Sequence, residues 1–131
     1  MGTEPVRAVL DTSVLVAGGI DALEGDLAIS AASLAELHFG VLVARDPAVR
    51  AERLRRLTAL QRLFTALPVD DAVAASYGEL AAAVQAGGRT VRRRSMDLLI
   101  AATAHARSAR LYTRNPGDLA GLEHLVEVVP V

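Results

Sequence analysis

The chain of 131 residues contains no cysteine and no lysine. Without cysteine, neither a disulfide framework nor a metal site built on thiolates can form. A reducing compartment fits this composition, and we expect a cytoplasmic protein. All 14 basic residues are arginine, so proteins that neutralise a phosphoryl group with a lysine side chain are disfavoured.

Aromatic residues and long apolar runs are also scarce. The longest apolar segment, residues 27–44, is interrupted by Glu36 and His38 and is too short to span a membrane. The N-terminus lacks the pattern of a signal peptide, and the net charge of −1 creates no general attraction for nucleic acids. Base stacking cannot be the main source of nucleic-acid affinity, because only four aromatic residues are present and we expect them in the core: Phe39, Phe64, Tyr77 and Tyr112.

The chain does have a high hydrophobic content, 52%, arranged in alternating strand and helix patterns. Short β-rich segments predict strands at residues 6–10, 27–30, 65–69, 109–113 and 125–129. Helical patterns lie between them at residues 31–44, 47–64, 70–85 and 95–108. This alternation is typical of a parallel sheet covered on both faces. We therefore predict one domain, residues 1–131, with a three-layer α/β/α fold and four or five strands.

Four acidic residues fall where such a sheet collects its ligands. Open α/β sheets bind ligands beyond the carboxyl ends of their strands. Asp11 follows the first strand, Glu36 lies early in the helix after the second, and Asp118 follows the strand at 109–113. Asp97 opens the preceding helix and would reach the same edge from there. We expect the four carboxylates to meet.

Carboxylates without histidine or cysteine suit a hard ion such as Mg²⁺ or Mn²⁺. Like charges a few ångströms apart raise one another's pKa values, and a divalent ion relieves that repulsion. Such an ion also polarises a phosphoryl oxygen and lowers the pKa of bound water, as in phosphodiester hydrolysis.

Each acid except Asp11 also has a local explanation. The segment S-L-A-E ending at Glu36 matches a capping box. Asp97 would favour the dipole at the start of its helix, and N-P-G-D ending at Asp118 is typical of a β-turn. Asp11 adjoins an apolar strand that has no local need for an acid. The hypothesis of a common site therefore depends on the combination.

Four segments carry a resemblance to a known family. They are VLDTSVLVA around Asp11, SAASLAELHFGV around Glu36, RRRSMDLLIAATA around Asp97 and LYTRNPGDL around Asp118. In order and spacing the chain resembles PIN-domain ribonucleases, and among them the toxins of VapBC-type toxin–antitoxin pairs. It departs from the family at Leu119, where an aromatic residue often follows the fourth acid.

The resemblance implies a Mg²⁺ pocket, in which Mn²⁺ can substitute, and endonucleolytic cleavage of RNA. Asp11, Glu36 and Asp97 fall on the three principal catalytic and metal-binding acids of the family, and Asp118 falls on the more variable fourth. The family's supporting polar positions are occupied by Thr12, Ser13 and Asn115.

The resemblance also implies protein partners. The helices within residues 31–64 would form a groove for a cognate antitoxin, and two copies would form a homodimer. For the RNA substrate, a metal cluster alone cannot position a strand, so we hypothesise that arginines beside the acids hold its phosphates: Arg92, Arg93, Arg94 and Arg114. The alternative for these arginines is a solvated basic loop.

Other classes of protein also carry an acid after a first strand. Phosphatases of the haloacid-dehalogenase type need a second aspartate where this chain has Ser13. Those phosphatases and receiver domains both use a lysine, which is absent. A PIN-like nuclease acting on DNA stays open. The remaining alternative is a catalytically silent PIN-like module that binds RNA or protein, and the presence of all four acids favours the enzyme.

Overall fold

The computed structural model describes residues 7–131, and within them four parallel strands form one sheet in the order β2-β1-β3-β4. The strands are β1 (Arg7–Leu10), β2 (Asp26–Ile29), β3 (Arg110–Thr113) and β4 (Val128–Pro130). The helices are α1 (Thr12–Ala17), α2 (Ala31–Val43), α3 (Pro47–Leu63), α4 (Asp71–Ala86) and α5 (Ser95–Ala106). Three 3₁₀ turns complete the fold, at Ile20–Ala22, Arg92–Arg94 and Pro116–Leu119.

The central strand β1 packs on both faces of the sheet. Ala8 and Leu10 belong to a buried cluster with residues of α1 and α3, whereas Val9 belongs to a second cluster with residues of α4 and α5. This alternation produces the three layers, and the predicted α/β fold is confirmed. The chain leaves β1 toward β2 on one side and later returns to β3 on the other. That reversal is where such sheets bind ligands.

Side chains at helix starts explain several element boundaries. Asp46 Oδ1 accepts a hydrogen bond from the backbone of Ala48 at 3.0 Å, and Pro47 follows as the first residue of α3. Asp70 caps α4 in the same way through the backbone of Val73, at 3.0 Å. These caps satisfy N–H groups that have no partner within a helix.

Two predicted strands differ from the observed ones. The strand predicted at 65–69 is wrong, because only one bridge forms, between Ser30 and Leu67. Pro68 follows directly and has no N–H with which to continue a ladder. The strand predicted at 125–129 is observed as Val128–Pro130, because Val126 first closes a turn on Leu122 and enters the core.

Other boundaries agree more closely. The predicted helices at 31–44, 47–64, 70–85 and 95–108 correspond to α2, α3, α4 and α5 within one to two residues. Val6, the first residue of the first predicted strand, lies outside the described residues. Among residues 7–131, no helix has the length and apolarity needed to cross a membrane.

Candidate active site

Asp11 follows β1 and is fixed by two hydroxyl groups. Thr113 Oγ1, at the end of β3, donates to Asp11 Oδ2 at 2.7 Å, and Ser13 Oγ donates to the same oxygen at 3.0 Å. Ser13 Oγ in turn accepts from the backbone N–H of Arg114 at 3.1 Å. The pairing of β1 with β3 thus holds this carboxylate at the predicted edge of the sheet.

Glu36 lies in the second turn of α2 and faces the start of α1. Thr12 Oγ1 donates to Glu36 Oε1 at 2.7 Å. The same hydroxyl lies 3.1 Å from Oγ of Ser33, which is fully buried. A threonine hydroxyl carries one proton, so with that proton on Glu36, Thr12 accepts from Ser33. The orientation of Glu36 is therefore set by α1.

Asp97 lies in the first turn of α5, and its pKa is raised from 3.8 to about 6. Burial is the largest cause, followed by the negative charges of Asp11, Glu36 and Asp118, while the Arg94 guanidinium acts in the opposite direction. Carboxylates influence one another in this way only when they are close. The structure therefore brings the four predicted acids to one edge of the sheet.

Asp118 is exposed in the 3₁₀ turn after β3. Its backbone N–H donates to the carbonyl of Asn115 at 3.1 Å, and its own carbonyl accepts from the guanidinium of Arg94. Leu119, the departure from the family, is buried in the α5 side of the core. A buried leucine thus anchors the turn that carries Asp118.

Glu36, Asp97 and Asp118 each have an alternative explanation in their local position along the chain. The capping box ending at Glu36 is wrong, because α2 begins earlier and Ser30 caps it, with Ser30 Oγ accepting from the backbone of Ala32 at 3.1 Å. Asp97 does lie in the first turn of α5, as the helix-dipole explanation requires, but burial and the three neighbouring carboxylates outweigh any such effect and raise its pKa. Asp118 does lie in a turn, as predicted, and its charge also acts on Asp97.

The predicted RNA-binding arginines divide into two groups. Arg94 is half-buried against the acids, and with Arg93 and Arg89 it lines a pocket of about 280 Å³. Arg92 is exposed. Arg114 is exposed, and its backbone N–H donates to Ser13 Oγ, which in turn binds Asp11. Arg89 was not among the predicted RNA-binding residues, because two residues separate it from the run Arg92–Arg94.

Two further polar residues were also missed. Thr113 and Ser33 are both fully buried, and they contact Asp11 and Thr12 respectively. Thr113 has a signal in the sequence, since it ends the strand adjacent to the one that Asp11 follows. Asn115, predicted as a supporting residue, contributes its backbone N–H to Thr113 Oγ1 at 3.0 Å. Among residues 7–131, its side chain makes no hydrogen bond.

The donor set fits a hard divalent ion in its chemistry. Among the described residues, no three acidic or histidine side chains are already arranged to hold a metal ion. Mg²⁺ nevertheless keeps several waters and is commonly held by only one or two carboxylates, so a closed cage of side chains is not required. Asp97 and its neighbours offer such oxygen ligands in a place where their charges repel one another.

This fold and acidic edge match a known family. The family model described as "PIN domain" matches residues 8–120. The chain therefore belongs to the PIN domain family.

Individual relatives are similar over most of the chain. Ribonuclease VapC5 of Mycobacterium tuberculosis is 38% identical over 134 residues, covering 98% of this chain and 96% of that protein. Ribonuclease VapC8 of the same organism is 40% identical over 100 residues, covering 73% and 88%. A crystal structure of a member of the VapBC family of toxin-antitoxin systems, VapBC-5, also from M. tuberculosis, aligns with a TM-score of 0.85 at 38% identity. That alignment covers 97% of this chain and 100% of the other.

Proposed function

We propose that this protein is a Mg²⁺-dependent endoribonuclease, active also with Mn²⁺, and that it is the toxin of a type II toxin–antitoxin pair. The observation that carries the proposal is the placement of Asp97 beside three other carboxylates at the carboxyl edge of a parallel sheet, where burial and then the charges of Asp11, Glu36 and Asp118 raise its pKa. RNA as substrate and the toxin role are supported by relatives named as ribonucleases and by a structural relative from a toxin-antitoxin system.

In this proposal the ion would be held by Asp11, Glu36, Asp97 and Asp118. When bound, a divalent ion neutralises the carboxylates and polarises a phosphoryl oxygen of the substrate. The chain supplies the positioning. Thr113 fixes Asp11 from β3 and Ser13 fixes it from α1, while Thr12 orients Glu36 from α1. We also assign the binding of RNA phosphates to Arg92, Arg93, Arg94 and Arg114, of which Arg94 is nearest to the acids.

The proposed partners are a cognate antitoxin and a second copy of the chain. Large apolar side chains near the connection between α2 and α3 are more than half exposed: Phe39, Leu42, Val43 and Leu54. Leu63, at the other end of α3, is also exposed. The prediction that Phe39 lies in the core is wrong. An apolar surface of this kind on neighbouring helices is typical of protein interfaces. We further propose that residues 1–131 act as one domain and that cleavage of RNA takes place in the cytoplasm.

The test is cleavage of a labelled structured RNA by purified protein free of any partner. The reactions contain Mg²⁺, Mn²⁺ or a chelator, and compare the wild type with Asp97→Asn and Asp71→Asn. Asp71 starts α4 beside Asp70, which pairs with Arg107 at the far end of α5 from Asp97. Asp71→Asn therefore removes one acid away from the site.

We expect metal-dependent cleavage by the wild type and by Asp71→Asn, and a loss of at least about 100-fold in Asp97→Asn. Equal cleavage by Asp97→Asn and the wild type would contradict the proposal.

A catalytically silent module is the second candidate. It is favoured by one observation, that among residues 7–131 the acids are not already arranged as a metal cage. In that case titration with Mn²⁺ would give no binding, and substitution of Asp11 would change partner binding alone. Metal binding that Asp97→Asn weakens, together with cleavage, would exclude this candidate.

A further inference from the structure

A groove of about 280 Å³ extends from the acidic site between α1, α2 and α3. Its walls include two residues of the site and two arginines of α3 that the proposed function does not use. The residues that line the groove include Thr12, Glu36, Leu37, Gly40, Arg53 and Arg56. The groove therefore places the Glu36 carboxylate and two guanidinium groups on one continuous surface.

Two arginines near the start of α3 donate hydrogen bonds to the end of α2. Arg53 donates to the carbonyl of Gly40 at 2.7 Å. Arg50 donates to the carbonyls of Val41 and Leu42, at 3.2 and 3.3 Å. These carbonyls lie in the last turn of α2, where backbone donors are scarce and, within residues 7–131, only Val41 among the three also accepts from the backbone N–H of Ala44, at 3.4 Å. Arg50 and Arg53 thus stabilise the end of α2.

Arg56 does not take part in these hydrogen bonds to the end of α2. It is half-buried, and among residues 7–131 no acceptor or carboxylate is within bonding distance of its guanidinium group. Glu52 of the same helix forms its salt bridge with Arg55, although the charge of Arg56 also lowers the pKa of Glu52. A partly buried guanidinium group that makes no hydrogen bond or salt bridge keeps its donors available for an anion.

We propose that Arg56 binds a phosphate of the RNA strand next to the cleaved bond, an inference that rests on the proposed function. A strand placed at four carboxylates is repelled unless cations hold its neighbouring phosphates. Arg94 lies on the Asp118 side of the site and Arg56 on the Glu36 side. The two arginines thus hold the strand on either side of the acids.

An RNA strand fits this groove better than an acidic side chain of a protein partner does. The groove is continuous with Thr12 and Glu36, so a chain that leaves the acidic site along α2 enters it directly. Gly40 lies one helical turn beyond Glu36, about 5.4 Å along the axis, so the groove continues past the acidic site. Gly40 leaves room in the wall, because a Cβ atom at this position would meet nothing within 4 Å.

The first test measures binding of a fluorescent single-stranded 20-mer RNA over a series of salt concentrations. All proteins carry Asp97→Asn so that cleavage is slow. Arg56→Gln is compared with Arg62→Gln, which removes the same charge from an exposed position near the end of α3, outside the groove. Arg56→Lys restores the charge without the planar fork. Thermal melting verifies that each variant is folded.

We expect Arg56→Gln to weaken binding about tenfold and to reduce the slope of log K against log salt by about 0.7. Arg62→Gln leaves both unchanged, and Arg56→Lys recovers the slope. In proteins with Asp97 intact, Arg56→Gln raises KM for RNA cleavage and leaves kcat within twofold.

A second test fills the groove without changing charge. Gly40→Leu places a side chain in the open space, while Gly40→Ala adds a methyl group that meets no neighbour. We expect Gly40→Leu to weaken RNA binding severalfold and Gly40→Ala to leave it unchanged.

Outcomes for the inference and for the proposed function are distinguishable. Cleavage by the wild type with equal slopes for Arg56→Gln and Arg62→Gln overturns the inference and leaves the nuclease intact. A reduced slope for Arg56→Gln alone, with no cleavage by any protein, supports RNA binding by Arg56 and overturns the proposed nuclease. Absence of RNA binding by the Asp97→Asn parent overturns the inference. So does loss of antitoxin binding in Arg56→Gln with RNA binding unchanged, which would assign the groove to a protein.

Discussion

Asp97 lies among three other carboxylates and one guanidinium group, and its pKa of about 6 lies above the usual 3.8. Between these two values the folded protein binds a proton that the unfolded chain has already released. The contribution of Asp97 to stability is therefore lost progressively as pH rises from about 4 to about 6. Above that window an ionised Asp97 destabilises the fold unless a cation neutralises the site.

We expect Asp97→Asn to raise the free energy of unfolding at pH 7.5 in the absence of divalent ions by about 1 kcal/mol. The pKa shift allows more, but Asp97 is only partly buried and solvent screens its charge. The gain should vanish below pH 4. Urea unfolding of both proteins at pH 3.8 and 7.5, with and without Mg²⁺, measures this gain in the free energy of unfolding. Mg²⁺ should stabilise the wild type more than the variant. An equal gain at both pH values would contradict this origin.

Thr113 is the buried hydroxyl on which the position of Asp11 depends. We expect Thr113→Val to lower RNA cleavage about tenfold and the free energy of unfolding by about 1 kcal/mol, because Asp11 loses a 2.7 Å hydrogen bond at nearly constant volume. Thr113→Ser keeps the hydroxyl and should retain most of the activity. Initial rates and urea unfolding of the three proteins measure both effects. Similar rates for the valine and serine variants would show that the hydroxyl has no role.

Helices α2 and α5 carry Glu36 and Asp97, and a buried hydrogen bond joins the N-cap residue of α2 to α5. Ser30 Oγ and Thr103 Oγ1 are 2.9 Å apart, and both residues are fully buried. Ser30 also caps α2, while Thr103 Oγ1 donates to the carbonyl of Leu99 at 2.8 Å. The relative placement of two acids thus depends on a pair of hydroxyl groups that are not themselves part of the site.

We expect Ser30→Ala and Thr103→Val each to lower the free energy of unfolding by about 1–2 kcal/mol. The double variant should lose less than the sum, by about 1 kcal/mol, because the shared hydrogen bond is counted once. Denaturant unfolding of the four proteins gives this coupling energy directly. Strict additivity would mean that the two hydroxyl groups do not act together.

Local patterns in the sequence are sufficient for helices α2 to α5 and for the strands that precede Asp11 and Asp118, whereas the short helix α1 was not predicted. They fail at residues 65–69, where the β-rich pattern is right but Pro68 ends the pairing after one bridge. The placement of Asp97 follows from how α5 packs beside β1 and β3, which no local pattern contains. Thr113, Ser33 and Arg56 were missed for the same reason, since their roles come from residues distant in the sequence.

On the scale of the whole molecule, the most evident feature is the apolar surface of α2 and α3. Leu42 is 68% exposed and Phe39 is 58% exposed, although both belong to a helix that packs on the core with its other side. Such side chains add little to the stability of the single chain. Their placement on neighbouring turns favours a partner that covers them.

We expect Leu42→Glu to leave the free energy of unfolding of the single chain within about 0.5 kcal/mol, because the position is exposed. The same change should weaken self-association or antitoxin binding by at least about tenfold. Leu63→Glu is the matched control, since Leu63 is 71% exposed at the end of α3 that is distant from the connection between α2 and α3. Sedimentation velocity and titration with the antitoxin measure the effect. Full assembly of Leu42→Glu would exclude this surface as the interface.

The hydrogen bond between Thr113 and Asp11 joins residues 102 positions apart in the chain. Strand β1 likewise pairs with β3, so the acidic edge cannot form until residue 113 has been translated and has left the ribosome. At roughly 5–20 residues per second, that interval lasts on the order of 5–20 s after Asp11 is made. Pairing across such a separation is also slow to form. A growing chain therefore lacks the assembled acidic edge throughout that interval.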